Sequence, residues 1–272
     1  MNTTERFATE IRIKTCEMLM NLGFGHLGAS LSIVETLAVL YEDVMRVDPN
    51  NPKSMERDWF VLSKGHGGPS YYATLALKGY FDVDELVTLN QGGTNLPSHP
   101  DRNKTIGVDA TTGSLGQGIS QAVGIAKGLQ IQGIDRNVYC IIGDGELNEG
   151  QVFEALIFAK NQNLSNFTVL LDDNKKQLDG LTREISMDLN YHRFFETLGY
   201  ETYTVDGQST DDIKEALEKE HTGPKAIVLD TIKCHGLPYF ENLYDNHHLR
   251  FGDKEKEILQ SEIERLRGSL NG

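Results

Sequence analysis

Three short apolar runs constrain the fold of this chain more than any other feature: VYCII at 138–142, FTVLL at 167–171 and AIVLDT at 226–231. Each is too short for a buried helix and carries the β-branched and aromatic residues of a strand covered on both sides. WFVL at 59–62 is a fourth of the same kind. Helical segments separate these runs, which predicts an α/β fold: a parallel sheet with helices on both faces. Residues 4–22 read as a helix, with Thr4 as its N-cap and Ile11, Thr15, Met18, Leu19 and Leu22 on one stripe. Further helices are expected over 32–44, 69–77, 82–89, 118–130, 209–220 and 253–267. Residues 90–113 follow neither period and read as a long loop, a length usually reserved for function. No repeat or linker interrupts the pattern, so residues 1–272 are expected to form one domain with a C-terminal loop-and-helix extension.

Charge narrows the function classes. Lys and Arg number 26 against 40 Asp and Glu, a net charge of −14. That balance argues against nucleic acid and against an anionic membrane surface. No stretch approaches the ~18 apolar residues of a membrane span, and the N-terminus has no signal-peptide core. Cys16, Cys140 and Cys234 stand alone in sequence, as buried thiols of a reducing compartment do. The expected location is the cytoplasm. The 27 glycines cluster in loops, where backbone must approach a ligand.

Two motifs combine. Gly143-Asp144-Gly145 follows the strand at 138–142, and Asn174 follows the strand at 167–171. Carboxyl ends of parallel strands share one rim, where ligands bind. A carboxylate and an amide oxygen side by side there suit a hard cation such as Mg²⁺, and the glycines admit a diphosphate at the following helix N-terminus. A second glycine-rich run, Gly113-Ser114-Leu115-Gly116-Gln117-Gly118, opens an Ala-rich helix and matches neither a dinucleotide fingerprint nor a Walker A motif. Histidines recur in loops, at Gly25-His26, Gly65-His66-Gly67, Ser98-His99-Pro100 and His247-His248. Their spacing does not suit zinc; it does suit hydrogen bonding and proton relay around a polyhydroxylated or anionic substrate.

Together these segments resemble the thiamine-diphosphate enzymes, and the run GDGELNEGQVFEALIFAKNQNLSNFTVLLDDN matches their diphosphate signature. The runs GHLGASLSIVETLAVLY, RDWFVLSKGHGGPSYYATLALKGYF, LPSHPDRNKTIGVDATTGSLGQGISQAVGIA and DDNKKQLDG narrow the resemblance to transketolase, over residues 6–250. A full transketolase is more than twice as long. The resemblance therefore implies the N-terminal subunit of a split enzyme, joined by a C-terminal subunit with the pyrimidine-binding domain in an α2β2 assembly. It implies transfer of a two-carbon ketol unit from a ketose to an aldose, either of them phosphorylated or not, with thiamine diphosphate and Mg²⁺, or Ca²⁺ or Mn²⁺ in its place. The Asp144 and Asn174 side chains and the Lys176 carbonyl resemble the metal ligands. His66, Gly143, Asp144, Gly145, Glu146 and Asn174 resemble the diphosphate site; Gly113, Ser114, Leu115 and Leu178 resemble the residues along the cofactor rings. Glu149 matches an acid that communicates with the partner's activating glutamate. His26, His99 and His247 resemble the histidines that contact substrate hydroxyls.

The match is not complete. The family's usual GKG reads Cys234-His235-Gly236, its VDGHD reads Val205-Asp206-Gly207-Gln208-Ser209, and its Trp-His-Gly reads Asn246-His247-His248, which leaves open which histidine takes the family's place. A 2-oxoacid dehydrogenase α-subunit shares the GDG and Asn but lacks the SKGHG and SHP segments. A 1-deoxyxylulose-phosphate synthase is nearer, but fits the SKGHGGPSYYATLALKGYF run poorly. A non-catalytic paralogue that only stabilises a partner is opposed by the retained Asp144, Asn174, His26, His66 and His99.

Overall fold

In the computed structural model, which describes residues 1–271, the chain opens with α1 (Thr3–Leu22). Asn2, not Thr4, caps it: the Asn2 side chain accepts from the Glu5 N–H while Glu5 accepts from the Asn2 N–H. This reciprocal arrangement satisfies two donors at once. The Thr4 hydroxyl instead donates to Asp43 (2.8 Å). Gly23, at φ 86°, stops the helix. The short strand β1 (Phe24–Gly25) follows.

The helix expected over 32–44 is present as α3 (Val34–Val39), which runs on into a π-helical turn at Leu40–Val44, and a short helix not expected from sequence, α2 (Leu27–Leu31), precedes it. The break between α2 and α3 falls at Ser32 and Ile33, where Ile33 leaves the helical region at φ −116°. The Ser32 hydroxyl is diverted to Asp172 on the sheet rim (2.8 Å).

Five strands form the parallel sheet: β2 (Trp59–Leu62), β3 (Val138–Gly143), β4 (Phe167–Asp173), β5 (Glu201–Asp206) and β6 (Lys225–Asp230), in the order β2-β3-β4-β6-β5. Four were legible in sequence. The fifth, β5, is an edge strand hydrogen-bonded only to β6, and its ETYTVD run is half-exposed. Without an apolar run it carries no buried-strand signal.

Alternation along each strand divides the core in two. Tyr139 and Ile141 face one layer with Phe60, Leu170 and Ile227; Val138, Cys140 and Ile142 face the other with Val61, Val169 and Ala226. The first layer is covered by α1, α3, α4 (Gly68–Leu77), α9 (Thr210–Glu218) and α11 (Asp253–Leu270). The second is covered by α5 (Gln117–Gln132), α6 (Gly150–Asn161) and α8 (Tyr191–Thr197). This is the two-faced covering that near-continuous apolar strands require. Segment 82–89 forms a 3-10 helix (Val83–Thr88) rather than an α-helix, and 90–113 is free of regular structure. Two short helices, α7 (Thr182–Ile185) and α10 (Pro238–Glu241), punctuate the loops after β4 and β6. Finally β7 (Leu249–Arg250) pairs antiparallel with β1, matching Phe24 to Arg250 and Gly25 to Leu249.

Candidate active site

The carboxyl ends of β2, β3, β4 and β6 meet at one rim, and their strand-end residues fill it. Lys64, just past β2, is fully buried and forms an ion pair with the equally buried Asp172 of β4. Asp172 also accepts from Ser32, from the Asn174 amide (2.7 Å) and from Thr231 past β6. Burial opposes its charge, but the Lys64 ammonium overcomes that and holds the carboxyl below its ordinary range. Four elements are thereby locked to one carboxylate.

Asp144 sits beside this pair. Gly143 is in register with Asp172, and the Asp144 N–H donates to the Asp172 carbonyl (3.2 Å). Asp144 is 2% exposed; its carboxylate accepts from the Gly145 N–H (2.9 Å) and the Thr182 hydroxyl (2.7 Å). Burial raises its pKa to about 6, so a cation would be its natural complement. After Asn174 the chain turns through Lys175, at φ 67°, into a tight hairpin closed by a Lys176–Leu181 bridge and a Gln177 N–H to Gly180 carbonyl bond. This hairpin fixes the Lys176 carbonyl and puts Leu178 at its tip, 61% exposed. A carboxylate, an amide oxygen and a backbone carbonyl on one rim are oxygens of the kinds hard cations take.

Lys233 joins the metal-type residues to the histidines. It is 2% exposed, and its ammonium donates to the Lys176 carbonyl (3.0 Å) and lies 3.0 Å from His247 Nδ1. Burial, then the nearby Lys64 charge, lowers its pKa to about 8. The residue after it, Cys234, is buried at φ 68°. That left-handed conformation is the one glycine adopts freely, which accounts for the glycine expected there.

Around His26 the loop histidines converge. Its ring centroid lies 5.5 Å from His66, 6.0 Å from His99, 5.4 Å from His247 and 4.8 Å from His248. His66 is 5.1 Å from His247. Both candidates of the His247-His248 pair therefore reach His26, but only His247 also faces His66 and Lys233. Burial comes first in lowering the pKa of His26 to about 4, followed by the charges of His248 and His99. His247 falls to about 3 through burial and then Lys233. Burial also lowers His66 and His99. These rings are neutral near pH 7, able both to donate and to accept.

The glycine loops close against the same wall. A Cβ on Gly65 would come within 2.7 Å of the Gly113 nitrogen, and one on Gly113, at φ 137°, within 3.1 Å of the His99 ring. Gly113 thus lies between His99 and the loop of His66. Glu146 lies beneath these loops. It is buried, and one oxygen accepts from Ser63 (2.6 Å) and the Gly116 N–H (2.8 Å) while the other accepts from the Gly143 N–H (3.2 Å). Both oxygens accept from protein donors, so Glu146 ties three loops together. Glu149 is exposed at the start of α6, its side chain against Gly116.

Lys64, Asp172, Thr182 and Lys233 were not singled out from sequence. Lys64 and Lys233 each lie within a few residues of a strand end, the one signal that pointed toward them. Cys16, Cys140 and Cys234 are buried and unpaired, as expected. Among the described residues no helix is long and apolar enough to cross a membrane.

The chain matches the family model described as transketolase, thiamine diphosphate binding domain, over residues 3–264. It is 44% identical over 261 residues to the 6-deoxy-6-sulfo-D-fructose transketolase subunit SqwG of a Clostridium species, covering 95% of each chain. It is 36% identical over 241 residues to an apulose-4-phosphate transketolase subunit of Actinobacillus succinogenes, covering 88% of this chain and 87% of that one. A solved transketolase from Pichia stipitis superposes with a TM-score of 0.89 at 27% identity, covering 100% of this chain and 44% of the other. The chain thus spans less than half of that solved enzyme, and nearly all of the two subunits. A parallel sheet whose rim carries the GDG and Asn pair, under a family match spanning almost every residue, places this chain in the transketolase family, as its thiamine diphosphate-binding domain.

Proposed function

We propose that this chain is the N-terminal subunit of a heteromeric transketolase, working in the cytoplasm, that moves a two-carbon ketol unit from a ketose to an aldose. The observation that carries this reading is convergence. Three loops bring His66, His99, His247 and His248 around His26, beside the Asp144 and Asn174 rim. Thiamine diphosphate, when bound, supplies the nucleophilic carbon and the electron sink.

The chain's own residues supply binding and proton control. The Asp144 carboxylate, the Asn174 amide oxygen and the Lys176 carbonyl would hold Mg²⁺, for which their oxygen chemistry suits. His66, Gly143 and Gly145 would meet the diphosphate, with Lys233 as the cation behind it. Gly113, Ser114, Leu115 and the exposed Leu178 would line the rings. His26, His99 and His247 would hold substrate hydroxyls and pass protons, since neutral imidazoles can do both. Glu149, exposed and uncommitted, would face the partner's glutamate.

The partner is supported by α6. Val152, Ala155, Leu156 and Ala159 face the core, yet Phe153, Ile157 and Phe158 on its other side are 44%, 45% and 45% exposed. A helix apolar all round is normally covered on all sides. A C-terminal subunit carrying the pyrimidine-binding domain, in an α2β2 assembly, would cover it. The substrates named for the two subunit relatives, a sulfonated and a phosphorylated sugar, support a donor with an anionic end.

The test is reconstitution. The chain alone is expected to be inactive; adding the C-terminal subunit, Mg²⁺ and thiamine diphosphate restores ketol transfer. Full activity from the chain alone would overturn the heteromeric reading.

A further inference from the structure

Asp172 and Asn174 stand two residues apart at the end of β4, and side chains two apart on an extended chain share a face. They meet there: the Asn174 Nδ2 donates to Asp172 (2.7 Å), with Asp172 fully buried and Asn174 7% exposed. Asp173, between them, turns to Lys175 instead. The two ends of an amide have nearly the same shape and differ in hydrogen bonding: the nitrogen donates and the oxygen accepts. Which end faces which way is therefore set by the neighbours.

Two neighbours decide it for Asn174, and they agree. An ionised carboxylate only accepts, so Asp172 demands the nitrogen. The Lys176 backbone N–H only donates, and it meets the Asn174 oxygen at 3.2 Å. Turning the amide over would set oxygen against oxygen and N–H against N–H. Asp172 has no room to become a donor itself, since Ser32 (2.8 Å), Lys64 and Thr231 all donate to it. Lys64 supplies the compensating charge, and neither side chain of that pair is open to solvent. The amide oxygen has two lone pairs. The Lys176 N–H takes one, and the other remains for a cation on the rim shared with Asp144.

We propose that Asp172, held as an acceptor by Lys64, is a positioning residue that fixes the Asn174 amide with its oxygen turned to the metal. This deepens the transketolase reading and rests on it for the identity of the cation and cofactor, but not for the orientation of the amide.

Two measurements separate these claims. The first needs neither metal nor cofactor. In the full chain with asparagine isotope-labelled at nitrogen, the Asn174 side-chain signal is assigned by its loss in Asn174→Ser. One of its two protons is expected well downfield of an exposed amide and slow to exchange, because it sits on a buried charge. Lys64→Met/Asp172→Leu removes the acceptor without stranding a charge, and both features disappear. In Lys64→Met/Asp172→Asn, whose amide can still accept, they are kept in part. A wild-type signal like that of an exposed amide, or one unchanged in the Asp172→Leu variant, overturns the orientation.

The second is made in the reconstituted complex with thiamine diphosphate, where free Mn²⁺ is followed by electron paramagnetic resonance. Mn²⁺ affinity is expected to fall about tenfold to a hundredfold in the Asp172→Leu variant, and by less in the Asp172→Asn variant. Apolar residues are the better tolerated replacement for a buried ion pair. The variant that binds Mn²⁺ more weakly is thus the one with the higher urea midpoint, an order that a merely structural role would not produce. Unchanged Mn²⁺ affinity in the Asp172→Leu variant overturns the positioning role. A wild-type complex that takes up no Mn²⁺ with the cofactor counts against the transketolase reading, and the amide signals then decide the orientation by themselves.

Discussion

The Lys64 ammonium and the Asp172 carboxylate face each other with no solvent access to either side chain. Asp172 collects Ser32, Asn174 and Thr231 as well, so one carboxylate fastens the ends of β4 and β6 and the break between α2 and α3. Removing one member of such a pair leaves a buried charge without compensation. Lys64→Met is expected to lower stability by about 3–5 kcal/mol, read from urea denaturation. The double variant Lys64→Met/Asp172→Leu recovers part of that loss; a single variant as stable as wild type would show the pair to be dispensable.

Asp144→Asn keeps the shape of the side chain and removes its charge. Cofactor affinity in the assembled complex, measured by calorimetry with Mg²⁺, is expected to fall by at least ~10–100-fold, with the circular dichroism spectrum unchanged. An unaltered affinity removes Asp144 from the metal site.

Lys233→Met strips a buried cation from between the Lys176 carbonyl and His247. A charged hydrogen bond contributes about 1.5–3 kcal/mol. Thiamine diphosphate should therefore bind some tenfold to a hundredfold more weakly, while the kinetics of partner association stay as they were. Equal affinity in variant and wild type would confine Lys233 to positioning the hairpin.

The histidines give a pH dependence with a definite sign. Burial lowers the folded pKa of His26 to about 4 and of His247 to about 3, from an ordinary value of 6.5. Between the ordinary and the lowered values the unfolded chain takes up protons and the folded chain does not. Stability is therefore lost as pH falls from 6.5 toward 4. Neither ring should titrate by NMR between about pH 5 and 8. The double variant His26→Asn/His247→Asn should lose less stability over the acid range than wild type does; an identical slope would place the effect elsewhere.

On α6, Phe153→Glu and Phe158→Glu are expected to leave the isolated chain folded and to weaken the complex with the C-terminal subunit. A central aromatic contact contributes about 2 kcal/mol or more, roughly 30-fold in Kd. Ultracentrifugation at micromolar concentration distinguishes this from an interface elsewhere, which these changes would not touch.

Sequence revealed whatever burial writes into apolar patterning. Strands β2, β3, β4 and β6 lie inside the sheet or under helices on both faces, and their runs announce it. Strand β5, half-exposed at the edge, has no such run and was missed. The same logic divides the site. Asp144, Asn174 and the loop histidines stand out because glycine neighbours and strand ends frame them. Lys64 and Asp172 do not, because a charged residue looks the same in sequence whether it is solvated or sealed in a pair. The break at Ser32 was hidden too, since it depends on a hydroxyl bond to a residue far along the chain. Glu146 was visible, but its commitment to Ser63, Gly116 and Gly143 is a matter of geometry alone.

The β1–β7 ribbon joins Phe24 to Arg250, a pairing that spans nearly the whole described chain. Contacts of such sequence separation form late, after the loop between them has been closed. His26 emerges early in synthesis, yet it has no His247 or His248 to face until the far strand has been made and has folded back. The sheet can assemble first; the histidine cluster is completed at the end. A nascent chain that has not reached this strand also lacks α11, whose Leu259, Ile263 and Leu266 close the first core layer, so the histidine wall and that layer are completed together by the last elements described.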